Sequence, residues 1–290
     1  MDNNLVITKM KNVRIIARLD IKGPNLVKGI HLEGLRVLGK PEEFAELYYK
    51  QGADELIYQD VVASLYNRNS LHDIISRTAK NIFIPLTVGG GLRTIDDIRA
   101  VLRAGADKVA LNTAVINNPS FIKEASLKFG SSTIVVTIET IKQPDGKYLC
   151  YTDTGREYTG IDALSWATKV DELGAGEIVL TSVDREGTGE GFDIELTKMI
   201  SEAVSIPIIA HGGGGNALDV YNVINQGKAD AVSISSILHY GCVDKNIQTM
   251  SNRSEGNIEF LKSGRTFSKI TPLLLLELKS YLKNKNLNIR

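Results

Sequence analysis

The sequence predicts an α/β protein, a single (β/α)8 barrel over residues 1–290, and three observations carry that prediction. Apolar runs of strand length alternate with amphipathic stretches of helical period along the chain. Eight such strand–helix units can be counted, the number that closes a barrel. The second half of the chain repeats the motifs of the first in the same order, as expected of two half-barrels joined in one polypeptide.

Strands are expected at 14–20, 55–60, 84–88, 108–112, 133–139, 177–181, 207–210 and 231–235. The first is RIIARLD, an apolar run closing on Asp20 and followed by a Gly-Pro turn and Lys28. Helical periodicity is clearest at 42–51, 95–104, 163–173 and 217–226, each running up to a glycine (Gly52, Gly105, Gly174, Gly227) that suits a helix end. An open doubly wound sheet has the same alternation; the internal repeat favours closure. Asp20 pairs with Glu139, Asp60 with Asp184, Gly89-Gly90-Gly91 with Gly212-Gly213-Gly214, and Asn112-Thr113 with Ser235-Ser236. The offsets run from 119 (139 − 20) to 124 (184 − 60). Two stretches stand outside the repeat. Residues 140–157 are polar around Pro144-Asp145-Gly146 and read as an inserted hairpin or lid. Residues 241–270 read as a surface excursion before a last helix at 271–285.

Composition excludes several classes. Lys+Arg and Asp+Glu are both 34, so net charge is zero and nucleic acid is not expected as the main partner. No apolar run is long enough to span a bilayer, and the N-terminus has no apolar segment of signal-peptide length, so a cytoplasmic protein is expected. Cys150 and Cys242 form no CxxC pair, and His31, His72, His211 and His239 show no metal-ligand spacing; no metal or cofactor is expected.

Barrel enzymes place their chemistry at the C-terminal ends of strands. Asp20 and Glu139 fall there on the first and fifth strands, which oppose each other, and two such acids can divide general acid and base work. Each could instead cap a helix or pair with a lysine such as Lys28. The glycine runs each end a strand and open a helix, where backbone N–H groups suit a phosphate; Asn112-Thr113 and Ser235-Ser236 can add donors. Two sites related by the repeat imply a substrate with two phosphates. Arg14, Glu55, Lys108 and Glu177 begin strands, so they belong at the opposite end, either paired around the axis or solvated on the rim.

RIIARLDIKGPNLVKG, FIPLTVGGGLR, GADKVALNTA, GAGEIVLTSVDREGTGEGFD and IPIIAHGGGGN together resemble the cyclase subunit of imidazole glycerol phosphate synthase, over about residues 12–240 and again in the last helix. The resemblance implies a (β/α)8 TIM barrel that receives ammonia from a glutaminase subunit docked at its bottom face, as a heterodimer. It implies that the ammonia is joined to a bis-phosphorylated ribulosyl-imidazole precursor. It makes Asp20 and the Glu139 position the catalytic acids. Phosphate contacts follow from Gly90, Gly91, Asn112 and Thr113 on one side and Asp184, Gly187, Gly213, Gly214, Ser235 and Ser236 on the other, with Lys28 and Asp60 as further substrate contacts. Arg14, Glu55, Lys108 and Glu177 become an ammonia gate, and Asp107 a contact to the glutaminase. The chain departs from the family where Glu139 replaces an aspartate, where Arg18 and His211 replace small residues, and at Pro24. Those departures resemble paralogues that supply ammonia to a sugar-modifying amidotransferase of surface-polysaccharide synthesis. A non-catalytic scaffold that activates a glutaminase is a third alternative.

Overall fold

The computed structural model describes residues 12–63, 71–244 and 269–290. Eight parallel strands close on themselves. They are β1 (Arg14–Lys22), β4 (Glu55–Asp60), β5 (Leu86–Gly89), β6 (Lys108–Leu111), β7 (Ile134–Lys142), β10 (Glu177–Ser182), β11 (Ile208–His211) and β12 (Ala231–Ile234), in that circular order, with β7 pairing β10 and β12 pairing β1. The expected (β/α)8 barrel is therefore present, with strand ends within about three residues of those read from the sequence. The closure requires each strand to be buried on both faces, which is why β1 reads as an almost unbroken apolar run.

Two further antiparallel hairpins rise from the barrel. After β1 come β2 (Asn25–Ile30) and β3 (Glu33–Gly39); after β7 come β8 (Tyr148–Thr152) and β9 (Glu157–Asp162). They occupy equivalent places in the two halves. The first was read only as a turn, because Lys28 and Arg36 interrupt its apolar pattern and no Asn-Gly or Asp-Gly pair marks its bend.

Strand alternation divides the core. Ile16, Ile57, Ala110, Val135, Val179, Ile209 and Ala231 form a dry tier inside the barrel, while their neighbours along each strand meet the outer helices. Helix Ile95–Ala104 begins with a reciprocal capping box between Thr94 and Asp97, and helix Ala217–Asn225 with one between Asn216 and Asp219. The helix Ser236–Asp244 opens the segment read as an excursion; residues 245–268 of it lie outside the described residues. The last helix is Leu275–Asn284. Among the described residues no helix is long and apolar enough to cross a membrane, and no cluster of metal-ligating side chains occurs.

Candidate active site

The barrel's N-terminal end is closed by charge. Arg14 Nη1 lies 2.6 Å from Glu55 Oε1 and 3.1 Å from Glu177 Oε1, and Lys108 Nζ lies 3.0 Å from Glu55 Oε2 and 2.9 Å from Glu177 Oε1. Each cation bridges both acids, so alternation of sign around the axis yields four attractions in one ring. That pairing makes four largely buried charges tolerable directly beneath the apolar tier.

At the other end the even-numbered residues of β1 continue inward, placing Arg18 and Asp20 above Ile16. Arg18 Nε donates to Asp20 Oδ1 at 2.8 Å, and Lys28 Nζ, carried in by β2, lies 3.7 Å from Oδ2. Burial on its own would raise the Asp20 carboxyl; the two cations outweigh it and hold the group well below the usual carboxylate range. Glu139 is in the opposite condition. It is 6% exposed, and burial pushes its carboxyl up to about 7 against the pull of Arg18 and of the Gly155 N–H, which donates to Oε2 at 3.0 Å. One acid is thus held ionised while the other keeps its proton up to about neutrality, the separation that acid–base division requires.

A buried network adjoins this pair. Lys28 Nζ is ion-paired with Glu186 Oε1, and Glu186 Oε2 accepts from the Leu32 backbone at 3.4 Å. His211 Nε2 sits 3.8 Å from Glu186 Oε1, and its Nδ1 is 3.0 Å from the Ser233 carbonyl oxygen. Burial, then the nearby Arg18 charge, drive the His211 pKa well below its ordinary value, so the ring is neutral.

The glycine runs flank these acids. Gly90 (φ 107°) and Gly212 (φ 94°) occupy the left-handed region, and a Cβ on either would meet a carbonyl oxygen of the preceding strand end, Asp60 at 2.4 Å or Ser182 at 2.5 Å. Beside the first run opens a cleft of about 240 Å³ lined by Asp60, Gly90, Gly91, Asn112, Thr113 and Glu139. Beside the second is a cavity of about 20 Å³, whose walls include Gly187, Gly213, Gly214, Ser235 and Ser236. The β8–β9 turn overhangs the larger cleft. Its residues Asp153, Thr154 and Gly155 all have positive φ (52°, 62° and 78°), and two consecutive non-glycine residues in that region store strain. The strained turn delivers the Gly155 N–H to Glu139.

A family model described as "Histidine biosynthesis protein" matches residues 14–244, the whole barrel. The chain belongs to the histidine biosynthesis protein family. Among its curated relatives, imidazole glycerol phosphate synthase subunit HisF of Legionella pneumophila is 58% identical over 213 residues, covering 73% of this chain and 100% of the relative. This protein is a HisF-like cyclase subunit, an enzyme of the imidazole glycerol phosphate synthase type.

In the cyclase subunit Asp20 and Glu139 stand on opposed strands, as expected, but only Glu139 lines the open cleft. Lys28 is 2% exposed and committed to Glu186. Asp184 accepts from Ser182 Oγ at 2.8 Å at the edge of the second loop. Thr113 Oγ1 and Asn112 Nδ2 make only long contacts, 3.5 Å each, to Asp153 Oδ1 and the Tyr151 carbonyl. Asp107 is exposed at the ring end and accepts the Leu86 backbone N–H at 2.8 Å; Asp54 and Asp230 accept from Ile15 (2.7 Å) and Ile208 (2.9 Å) in the same way. Asp107 therefore has a structural duty that the repeat supplies elsewhere.

Two pairings need correction. The sequence aligned Gly90 with Gly213 and Asp60 with Asp184. In the structure Gly90 corresponds to Gly212 and Asp60 to Ser182, an offset of 122 (212 − 90) shared by the capping boxes (216 − 94). A run of four glycines has no side chain to fix its own register, whereas the cap residues do. Sequence reasoning also missed Glu186 and the turn at Asp153. A lone acid in a glycine-rich loop looks solvated; the usable signal was Lys28, a lysine inside a strand that needs a buried counter-charge.

Proposed function

We propose that this cyclase subunit joins ammonia to a bis-phosphorylated ribulosyl-imidazole precursor, giving imidazole glycerol phosphate and an aminoimidazole carboxamide ribotide. The observation that carries this is the opposed acid pair in opposite protonation states, set between two glycine loops and above a closed ring of charges. Glu139 supplies a proton in the cleft and ionised Asp20 stabilises or accepts one. Gly90, Gly91, Asn112 and Thr113 hold one phosphate through backbone and side-chain donors. Gly187, Gly213, Gly214, Ser235 and Ser236 hold the other, with Asp184 shaping that loop. Asp60 contacts the substrate from the cleft wall, and Lys28 sets the field around Asp20. The ring of Arg14, Glu55, Lys108 and Glu177 gates ammonia from a glutaminase that docks beside Asp107, in the cytoplasm. Purified protein given ammonium salt and the bis-phosphate is expected to form imidazole glycerol phosphate; absence of turnover under saturating substrate rejects the proposal.

Arg18 and His211 favour a second function, ammonia supply to a sugar-modifying enzyme of surface-polysaccharide synthesis. Both fill space at the mouth with buried side chains, 2% and 4% exposed. Rescue of a histidine auxotroph lacking its cyclase separates the two: growth without histidine selects the first.

A further inference from the structure

Three neighbouring strands carry, at the same level, three inward side chains with an unpaired polar atom. Val179, Ile209 and Ala231 belong to the dry inner tier. Two residues further along each strand, on the same face, come Thr181, His211 and Ser233. The strand registers set them side by side: Thr181 opposite His211, and Ile209 opposite Ala231, which brings His211 level with Ser233. They are 0%, 4% and 1% exposed. Among the described residues, Thr181 Oγ1, His211 Nε2 and Ser233 Oγ have no hydrogen-bond partner. On the other side of Thr181, the register places Glu139.

The chemistry of the row is that of an acceptor set. The Ser233 carbonyl can only accept, so His211 Nδ1 carries the ring proton and Nε2 presents a bare lone pair. Glu186 Oε1, also an acceptor, lies 3.8 Å from Nε2. Hydroxyl oxygens on both sides can accept as well. Leaving such atoms buried without partners is costly, and a small molecule with several N–H donors satisfies them together. The apolar tier beneath would reject an ammonium ion and pass a neutral molecule. We propose that Thr181 Oγ1, His211 Nε2 and Ser233 Oγ form a holding site for one molecule of neutral ammonia at the top of the barrel interior, beside Glu139. This rests on the function proposed above and specifies where the nitrogen waits before reaction.

The test separates the two substrates. Wild-type turnover of the bis-phosphate with ammonium salt first establishes the reaction. Thr181→Val, nearly isosteric, Ser233→Ala and His211→Phe are each expected to raise KM for ammonia about three- to tenfold, the worth of one hydrogen bond. KM for the bis-phosphate is expected to stay unchanged in Thr181→Val, whereas Ser233 and His211 also border the second cavity. His211→Gln, which can still offer an acceptor, restores much of the loss. A rise in KM for the bis-phosphate alone, or no change in either, overturns the site. Binding is also read without turnover, so failure of the reaction is distinguishable from failure of the site. In 15N-histidine protein at alkaline pH, the His211 Nε2 resonance is expected to shift saturably with added ammonia and to lose that response in Thr181→Val. An Nε2 resonance indifferent to ammonia means the row holds water only, and the proposal fails.

Discussion

Gly90 in the first half of the barrel and Gly212 in the second turn the chain at the same point, with φ of 107° and 94°, yet about 240 Å³ lies open beside the first run and about 20 Å³ beside the second. The backbone is duplicated and its furnishing is not. Beside the second run, β2 of the first half brings Lys28 across to Glu186, and His211 projects beside them, so the space under that glycine loop is filled by buried charge and an imidazole. Beside the first run the equivalent hairpin of the second half, β8–β9, arches over the cleft; Tyr151 pairs with Glu139 in the β7–β8 ladder, and the Gly155 N–H reaches the Glu139 side chain. The difference gives the two glycine runs different surroundings: the first adjoins a cavity into which Glu139 of the second half presents a protonatable acid, and the second adjoins the Lys28–Glu186 pair, part of the electrostatic frame that keeps Asp20 ionised.

The largest effect that would break this division comes from Glu139→Gln. General acid catalysis contributes roughly 10²- to 10⁴-fold, so kcat for ammonia-dependent turnover is expected to fall by about that much with KM for the bis-phosphate little changed. Since the Glu139 carboxyl titrates at about 7, kcat/KM of the wild type for the bis-phosphate, at saturating neutral ammonia, should decline as pH rises through that value. A profile flat from pH 6 to about 8 contradicts an acid role. Asp153 adds a like charge that holds the Glu139 pKa up; Asp153→Asn is expected to move the limb to lower pH. Linkage gives a matching sign for stability. Between 4.5 and about 7 the folded Glu139 binds a proton that the unfolded chain has released, so this group's stabilisation is complete below that window and is lost as pH rises through it. Glu139→Gln should flatten that slope in thermal melts.

The frame beside the second glycine run is tested separately. Glu186→Ala removes the closer counter-charge of Lys28, 2% exposed, and leaves it only the longer contact to Asp20 at 3.7 Å. Removing one member of a buried pair costs about 3–5 kcal/mol, so the denaturant midpoint should drop heavily. The same substitution at Glu157, an exposed residue of β9, should change it little. Glu186→Gln keeps the shape and some hydrogen bonding, so its loss should be smaller. If Glu186→Ala is as stable as the wild type, the network is not a frame, and the contrast between the halves loses its physical basis.

These contrasts also show what a sequence can and cannot reveal. The eight strands were legible because burial on both faces writes continuous apolar runs, as in β1 and β10. The bottom ring was legible as four charges at strand starts, although whether they paired depended on distances that only the closed barrel supplies. Asp20, Glu139 and the glycine runs were visible as a repeated pattern. The filling of the second half was not. Lys28 and Glu186 are separated by 158 residues, and nothing local in either loop says that they meet. Nor could a glycine run state its own register, which is why the sequence pairs the glycine runs one residue out and Asp60 two residues out. Unpaired atoms such as His211 Nε2 depend on packing from three strands at once and have no one-dimensional signature.

The smallest predicted effect sharpens the comparison most, because it concerns the scaffold alone. Thr94 Oγ1 accepts the Asp97 N–H at 3.1 Å, and Asp97 Oδ2 accepts back from Thr94 (2.9 Å) and Arg93 (3.0 Å). Asn216 Oδ1 accepts the Asp219 N–H at 3.1 Å, and Asp219 Oδ2 accepts back from Asn216 (3.2 Å) and Gly215 (2.9 Å). The two caps thus make the same three bonds immediately after the two glycine runs. Thr94→Ala and Asn216→Ala should each cost about 1 kcal/mol, measured by denaturant melts, and the double substitution should give their sum to within about 0.5 kcal/mol, as for separated sites. Equal caps beside unequal cavities would mean that divergence between the halves acted on side chains facing the mouth while leaving the turns that hold them intact. A cap loss much larger in one half than the other would instead place the divergence in the loops themselves, and the different cavity sizes would then follow from backbone rather than from Lys28, Glu186 and His211.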